Sequence, residues 1–176
     1  MTRQAFESVR TELVEAIDLL SDSQLRLPAM LLVYAGIDIM ASLDRAESSV
    51  EVKPGDFIRW ADTYLLPDAR LECSAEDLYA ARCGLLHTCM AESRRSRKGK
   101  ARQVWYAWGD ASAEELQARI DGADVPPAVA VHVDDLSAAF RLGIERFRQS
   151  ILDDSEKANL VCERAGKFFG NLSASH

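Results

Sequence analysis

The chain lacks the signatures of several common chemistries. Its four cysteines, Cys73, Cys83, Cys89 and Cys162, include no pair at CxxC spacing, which removes zinc-ribbon and thioredoxin-type arrangements. No glycine-rich phosphate loop, GxSxG or HExxH is present, so nothing points to P-loop, α/β-hydrolase or zincin chemistry. Cys83 and His87 stand four residues apart, but no third or fourth ligand has recognisable spacing, and no metal or cofactor is expected. Cys89 has no base placed to activate it and reads as a packed thiol. The longest apolar run, Ala29–Ile37, is far short of the ~20 residues a membrane span needs. The opening Met1-Thr-Arg-Gln-Ala-Phe-Glu is polar and helical in pattern, unlike a secretory leader. A soluble cytoplasmic protein with reduced thiols and no membrane association is the expectation. Repeats and low-complexity stretches are absent as well.

What is there fits one globular domain over residues 1–176, with 48% hydrophobic and 28% charged residues. The net charge of −7 conceals an asymmetry. Segment 93–109 holds six basic residues and no acid, leaving 15 basic against 28 acidic residues elsewhere. An acidic body with one basic segment points to one local anion site rather than a general nucleic-acid coat.

Apolar periodicity predicts a mainly α fold. Phe6, Val9, Leu13, Ile17 and Leu20 mark an amphipathic helix over 2–20. A second, nearly all-apolar helix runs from Pro28 to about Ser48 and reads as central. Pro54-Gly-Asp56 opens a third, ended by Pro67. Ser74 caps a fourth, with Glu76 and Asp77 in its first turn, and this one extends to about Glu92. The run 101–108 is rich in β-favouring residues, Ser112-Ala-Glu-Glu115 opens a short helix to about Ile120, and 126–133 reads as a second strand. A long helix follows from Asp134 to Leu152, with Leu136, Phe140, Ile144, Phe147 and Ile151 as its stripe. A less regular helical segment covers Ser155–Phe169, before a tail. The expected architecture is an up-and-down helical bundle with a small two-stranded β appendage. Its core helices lie at about 2–92 and 134–170, and the strands belong to an insertion at about 93–133.

The fourth helix carries the candidate site. Within Leu78-Tyr-Ala-Ala-Arg82-Cys-Gly-Leu-Leu-His87-Thr, Arg82 and His87 are embedded among apolar residues. Gly84 sits mid-helix, where it costs about 1 kcal/mol against alanine. A glycine kept there suggests close approach by a second helix or a ligand. Asp38, on the apolar second helix, needs a partner or an edge position, because a lone buried carboxylate costs several kcal/mol. It sits at an edge or caps a neighbour, or else it pairs with Arg82 or orients His87. Arg94, Arg95, Arg97, Lys98, Lys100 and Arg102 follow the helix. They form a solvated loop or a track for a phosphate backbone, with Trp105, Tyr106 and Trp108 as stacking platforms.

The Arg82-x4-His87 helix, preceded by a separate helix and by an apolar helix bearing Asp38, resembles the HEPN superfamily over about residues 1–95. Where many catalytic members have Asn, Asp or His after the arginine, this chain has Cys83. The resemblance implies a metal-independent endoribonuclease of phage defence or a toxin system. Its homodimer would face two motifs across a cleft, with RNA as substrate and an antitoxin or other protein as further partner. Histidine would move protons near neutral pH and arginine would stabilise charge on phosphate, the 2′-hydroxyl being the nucleophile. Five helical residues turn about 500°, so Arg82 and His87 lie ~140° apart and one copy makes a loose site. Gly84 would let the partner helix come close, and Thr88 and Tyr79 would support by hydrogen bonds. The alternative is a non-catalytic HEPN-like scaffold that binds protein or nucleic acid in its dimer groove. In that case His87 is a core histidine and Arg82 a structural ion pair with Asp38 or Asp77. A third reading is a small-ligand pocket under the tryptophan-rich strand.

Overall fold

The computed structural model describes residues 2–49, 51–88 and 93–167, and side chains within these except at 2, 3, 87 and 88. The chain is mainly helical with one small parallel sheet. In order come α1 (Thr2–Asp22), α2 (Arg26–Asp44), α3 (Pro54–Trp60) with a π-helical continuation (Ala61–Leu65), and α4 (Ala75–Thr88). There follow the four-residue α5 (Arg94–Arg97), β1 (Gln103–Ala107), α6 (Ala113–Asp121), β2 (Ala128–His132), α7 (Val133–Leu152) and α8 (Ser155–Ala165). Residues 89–92, where the fourth helix was expected to end, and 168–176 lie outside the described residues.

α2 is the hub, packed against α1, α3, α4, α7 and α8. Its Val33, Tyr34, Ile37, Met40, Ala41 and Leu43 have no accessible surface. By length and a mean hydropathy of 1.5 it is apolar enough to cross a bilayer, although half of that window is buried within the bundle. Helical burial on several sides explains the composition. α2 ends at Asp44, short of the expected Ser48, and two arginines take up carbonyls at and just past its end. Arg164 donates to the Leu43 oxygen at 2.9 Å and the Ala46 oxygen at 3.1 Å. Arg45 donates to the Ser42 and Ser49 oxygens. Helix-end carbonyls that lack an intrahelical partner are thereby satisfied.

Pro67 closes the third helix as expected, having no N–H to continue it. The turn before it widens, the Leu66 N–H donating to the Ala61 oxygen, and Arg146 of α7 donates to the Tyr64 and Pro67 oxygens. α7 approaches this turn closely at Gly143, where a Cβ would lie 3.2 Å from the Tyr64 oxygen. Its expected stripe, Leu136 to Ile151, is buried.

β1 and β2 pair in parallel, Gln103 opposite Ala128 and Ala107 opposite His132, with α6 as the crossover. The pair is inlaid in its own domain. Val104, Val129 and Val131 join the main core, while Ala128 and Ala130 pack with Ile120, Trp105 and Leu116 beneath α6. Alternation along β1 therefore sends Trp105 toward α6 and Tyr106 toward the bundle.

Candidate functional site

α4 is positioned from its N-terminus. Ser74 Oγ accepts from the Asp77 N–H at 3.2 Å, and Asp77 Oδ2 accepts from the Ser74 N–H at 3.0 Å, a reciprocal capping box. Asp77 also receives the Arg102 backbone N–H at 2.6 Å and its guanidinium at 3.0 and 2.8 Å. Arg102 further donates to the Glu72 oxygen at 2.8 Å. Burial would raise the Asp77 carboxyl, but these donors hold it below its ordinary value. Arg102, grouped in the sequence with the basic track, is thus the clamp joining β1 to the start of α4. Two of its guanidinium nitrogens are already committed.

Two turns into α4, Arg82 Nε donates to Asp38 Oδ2 of α2 at 2.6 Å, each side chain about a quarter exposed. Of the alternatives for Asp38, pairing with Arg82 is present, while its relation to His87 lies outside the described residues. Of those for Arg82, Asp38 is its partner, while Asp77 takes Arg102. Burial would lower the Arg82 guanidinium's pKa, but hydrogen bonds to Asp38 and Cys83 raise it above its usual value. The Cys83 thiol lies one helical turn from Tyr79 and acts electrostatically on its hydroxyl. Tyr79 stands edge-on to Phe57 at 5.4 Å, and the Arg95 guanidinium lies 5.3 Å from its ring centre. Burial and Cys83 raise the Tyr79 hydroxyl's pKa, although Arg82 and Arg95 pull it down. Asp38, Arg82, Cys83, Tyr79 and Arg95 therefore form a contiguous chain of contacts from α2 across α4 to α5. The sequence offered Asp38–Arg82 pairing as one alternative and Tyr79 as a supporting residue. It marked Cys83 only as a departure from the family pattern and as half of an incomplete metal pair with His87. The i,i+4 spacing of Tyr79 and Cys83 was the signal available.

Gly84 is buried within the single chain. His87 and Thr88 end α4, five and six residues beyond Arg82, and their side chains lie outside the described residues, as does Cys89. The basic segment is partly ordered into α5, where Ser93 and Ser96 cap each other's backbone. Arg94, Arg97, Lys98 and Lys100 are exposed, while Arg95 is half-buried over Tyr79.

The remaining candidates have structural settings. His132, for which the sequence offered no partner, caps α7: its Nδ1 accepts from the Asp134 N–H at 3.2 Å, so Nε2 donates to the Gly109 oxygen at 3.3 Å. Cys73 is buried, and burial together with Asp77 pushes its thiol up to about 12, leaving it protonated. Near it, the Tyr34 and Tyr106 hydroxyls share a 2.6 Å hydrogen bond that ties β1 to α2. No group of three or more metal-ligating side chains occurs among the described residues.

No family model, curated protein or solved structure matches this chain. What the site offers chemically rests on its own geometry. It is a permanently charged guanidinium, held by a carboxylate and partly open to solvent, one helical segment away from a histidine and an exposed cluster of positive charge.

Proposed function

We propose that this protein is a HEPN-like, metal-independent endoribonuclease that works in the cytoplasm as a homodimer. One observation supports the reading above the rest: the Asp38–Arg82 ion pair, which holds a cation in place before any substrate arrives. In this scheme Arg82 stabilises charge building on the scissile phosphate. The RNA 2′-hydroxyl oxygen attacks phosphorus as a His87 imidazole takes its proton. The bond from phosphorus to the 5′-oxygen breaks, and a protonated histidine, the second copy's by the family analogy, gives that oxygen a proton. The products are a 2′,3′-cyclic phosphate and a 5′-hydroxyl. Arg94, Arg97, Lys98 and Lys100 hold the strand by its phosphates. A role in phage defence, or as a toxin with an antitoxin partner, belongs to the same proposal.

A second reading draws on the same ion pair. Arg82 is satisfied inside its own subunit and Gly84 is covered there, which suits a non-catalytic scaffold whose groove binds a protein or RNA. The deciding experiment is cleavage of labelled RNA in EDTA by the wild-type protein, Arg82→Ala and His87→Ala, with folding of each checked by circular dichroism. EDTA-resistant cleavage lost in both variants is the expected result. Folded protein that never cleaves RNA leaves the scaffold, and equal cleavage by all three marks a contaminant.

A further inference from the structure

Beyond the Arg82 region, one surface feature stands out: the indole of Trp108, 52% exposed just past the end of β1. Most large aromatics here are covered, and among the described residues this is the one aromatic ring more than half exposed. The adjoining Gly109, at φ +63°, turns the chain away immediately after it. On one side, the Arg26 guanidinium lies 6.0 Å from the ring centre, beside a small hollow of about 70 Å³. A separate, largely apolar cavity of about 230 Å³ also borders the indole, lined by Tyr106, Ser112, Glu115, Leu116 and Arg119. Arg119 is exposed and has no hydrogen bond or ion pair among the described residues. Glu115 is exposed too, and makes only a long 3.4 Å contact to the Ser112 N–H.

We infer that this cavity is a nucleotide site, in which a base stacks on Trp108 while Arg119 and Glu115 read its polar groups. Flat apolar surface beside a lone guanidinium and a carboxylate matches a nucleotide, whose base carries amino and ring-acceptor groups and whose sugar carries the phosphate. A volume of about 230 Å³ is enough for one base. Arg119 donates to a phosphate or ring acceptor, and Glu115 accepts from an exocyclic amino group, which favours adenine or cytosine over uracil. The choice of RNA as the source rests on the function proposed above, and α2 supplies the ruler. Trp108 meets this helix at Arg26 and Arg82 meets it at Asp38, twelve residues and about 18 Å further along. A strand of a few nucleotides spans that distance. The base site would then anchor a substrate whose scissile phosphate lies at Arg82.

Binding is measured by fluorescence anisotropy with the full-length protein and a labelled 2′-O-methyl oligoadenylate, which lacks the nucleophile and stays intact. AMP serves as competitor, and an oligouridylate provides the comparison. Trp108→Leu is expected to weaken oligoadenylate binding about tenfold or more and Arg119→Gln several-fold, with Trp108→Phe close to wild type. Both side chains are exposed, so folding is not at risk. Competition by AMP at concentrations well below those of the strand assigns the site to a free nucleotide and still supports it. Unchanged binding in Trp108→Leu overturns the site, and so does the absence of binding by either ligand. Trp108-dependent binding without any cleavage by the wild type would retire the ribonuclease and leave the nucleotide site standing. Cleavage with Trp108-independent binding would do the reverse.

Discussion

Asp38 and Arg82 tie α2 to α4 through an ion pair that water still reaches. A pair this exposed contributes modestly, so Asp38→Ala and Arg82→Ala should be non-additive by about 1 kcal/mol in a double-mutant cycle read by denaturant unfolding. Its larger effect is expected on chemistry. Asp38→Asn keeps a hydrogen-bond acceptor but removes the charge that fixes the guanidinium, and under the proposed ribonuclease activity kcat for RNA should fall more than KM rises. Asp77 is the opposite case, a carboxylate 3% exposed that receives four donors from Ser74 and Arg102. Its folded-state pKa lies below the ordinary value. The stability it supplies is therefore complete above the unfolded value of about 3.9 and is lost as pH falls through the lowered folded value. Asp77→Asn should cost about 2 kcal/mol near neutral pH, because a partly buried partner, Arg102, loses its counter-charge. Thermal melts down the acid range should show that gap closing below about pH 4. A gap independent of pH would mean that the side chain acts only as a neutral cap.

At the scale of elements, the tightest seam lies between α2 and α7. A Cβ built on Gly36 would sit 2.3 Å from the Phe140 ring, inside any tolerable contact. Helix propensity alone says that Gly36→Ala stabilises by roughly 1 kcal/mol. The seam predicts the opposite sign, a loss of about 2 kcal/mol or more as the ring or the helix is displaced. Adding Phe140→Leu should recover part of the loss, which denaturant midpoints will read. That sign reversal also marks where the sequence stops being legible. The stripes of α1 and α7, the Pro67 stop, the Ser74 cap and both strands follow from local patterns, because period and capping are written in neighbouring residues. The Arg102–Asp77 clamp, the early end of α2 at Arg164, and the parallel pairing of β1 with β2 depend on residues 25 or more positions apart. No local pattern encodes those partnerships. The Asp38–Arg82 pair was legible only as one alternative: a carboxylate and a guanidinium on apolar helices each need a partner, and Asp77 or an edge position stood beside it. The part of Cys83 was not legible, since a thiol between Arg82 and Tyr79 bonds weakly enough to look like filler in a sequence.

Across the whole molecule, charge is divided unevenly, with six basic residues and no acid in 93–109 against a body of 15 basic and 28 acidic residues. The fold keeps four of those six, Arg94, Arg97, Lys98 and Lys100, at the surface, and turns Arg95 onto Tyr79 and Arg102 onto Asp77. An anionic strand is repelled by most of the surface and drawn to this one edge, so association should be oriented and strongly salt-dependent. If all four exposed charges meet phosphates of a single strand, the slope of log Kobs against log salt should be about −3. Neutralising Lys98 and Lys100 together should bring it to about −1.5, with little change in melting temperature because neither side chain is buried. Arg102→Gln is the contrasting variant. It should lower the melting temperature by freeing β1 from the start of α4, while leaving the salt slope close to wild type. A slope near zero, or one that falls for Arg102→Gln but not for the lysine pair, would move the phosphate contacts off this segment. The basic run would then be a solubilising edge on an acidic protein.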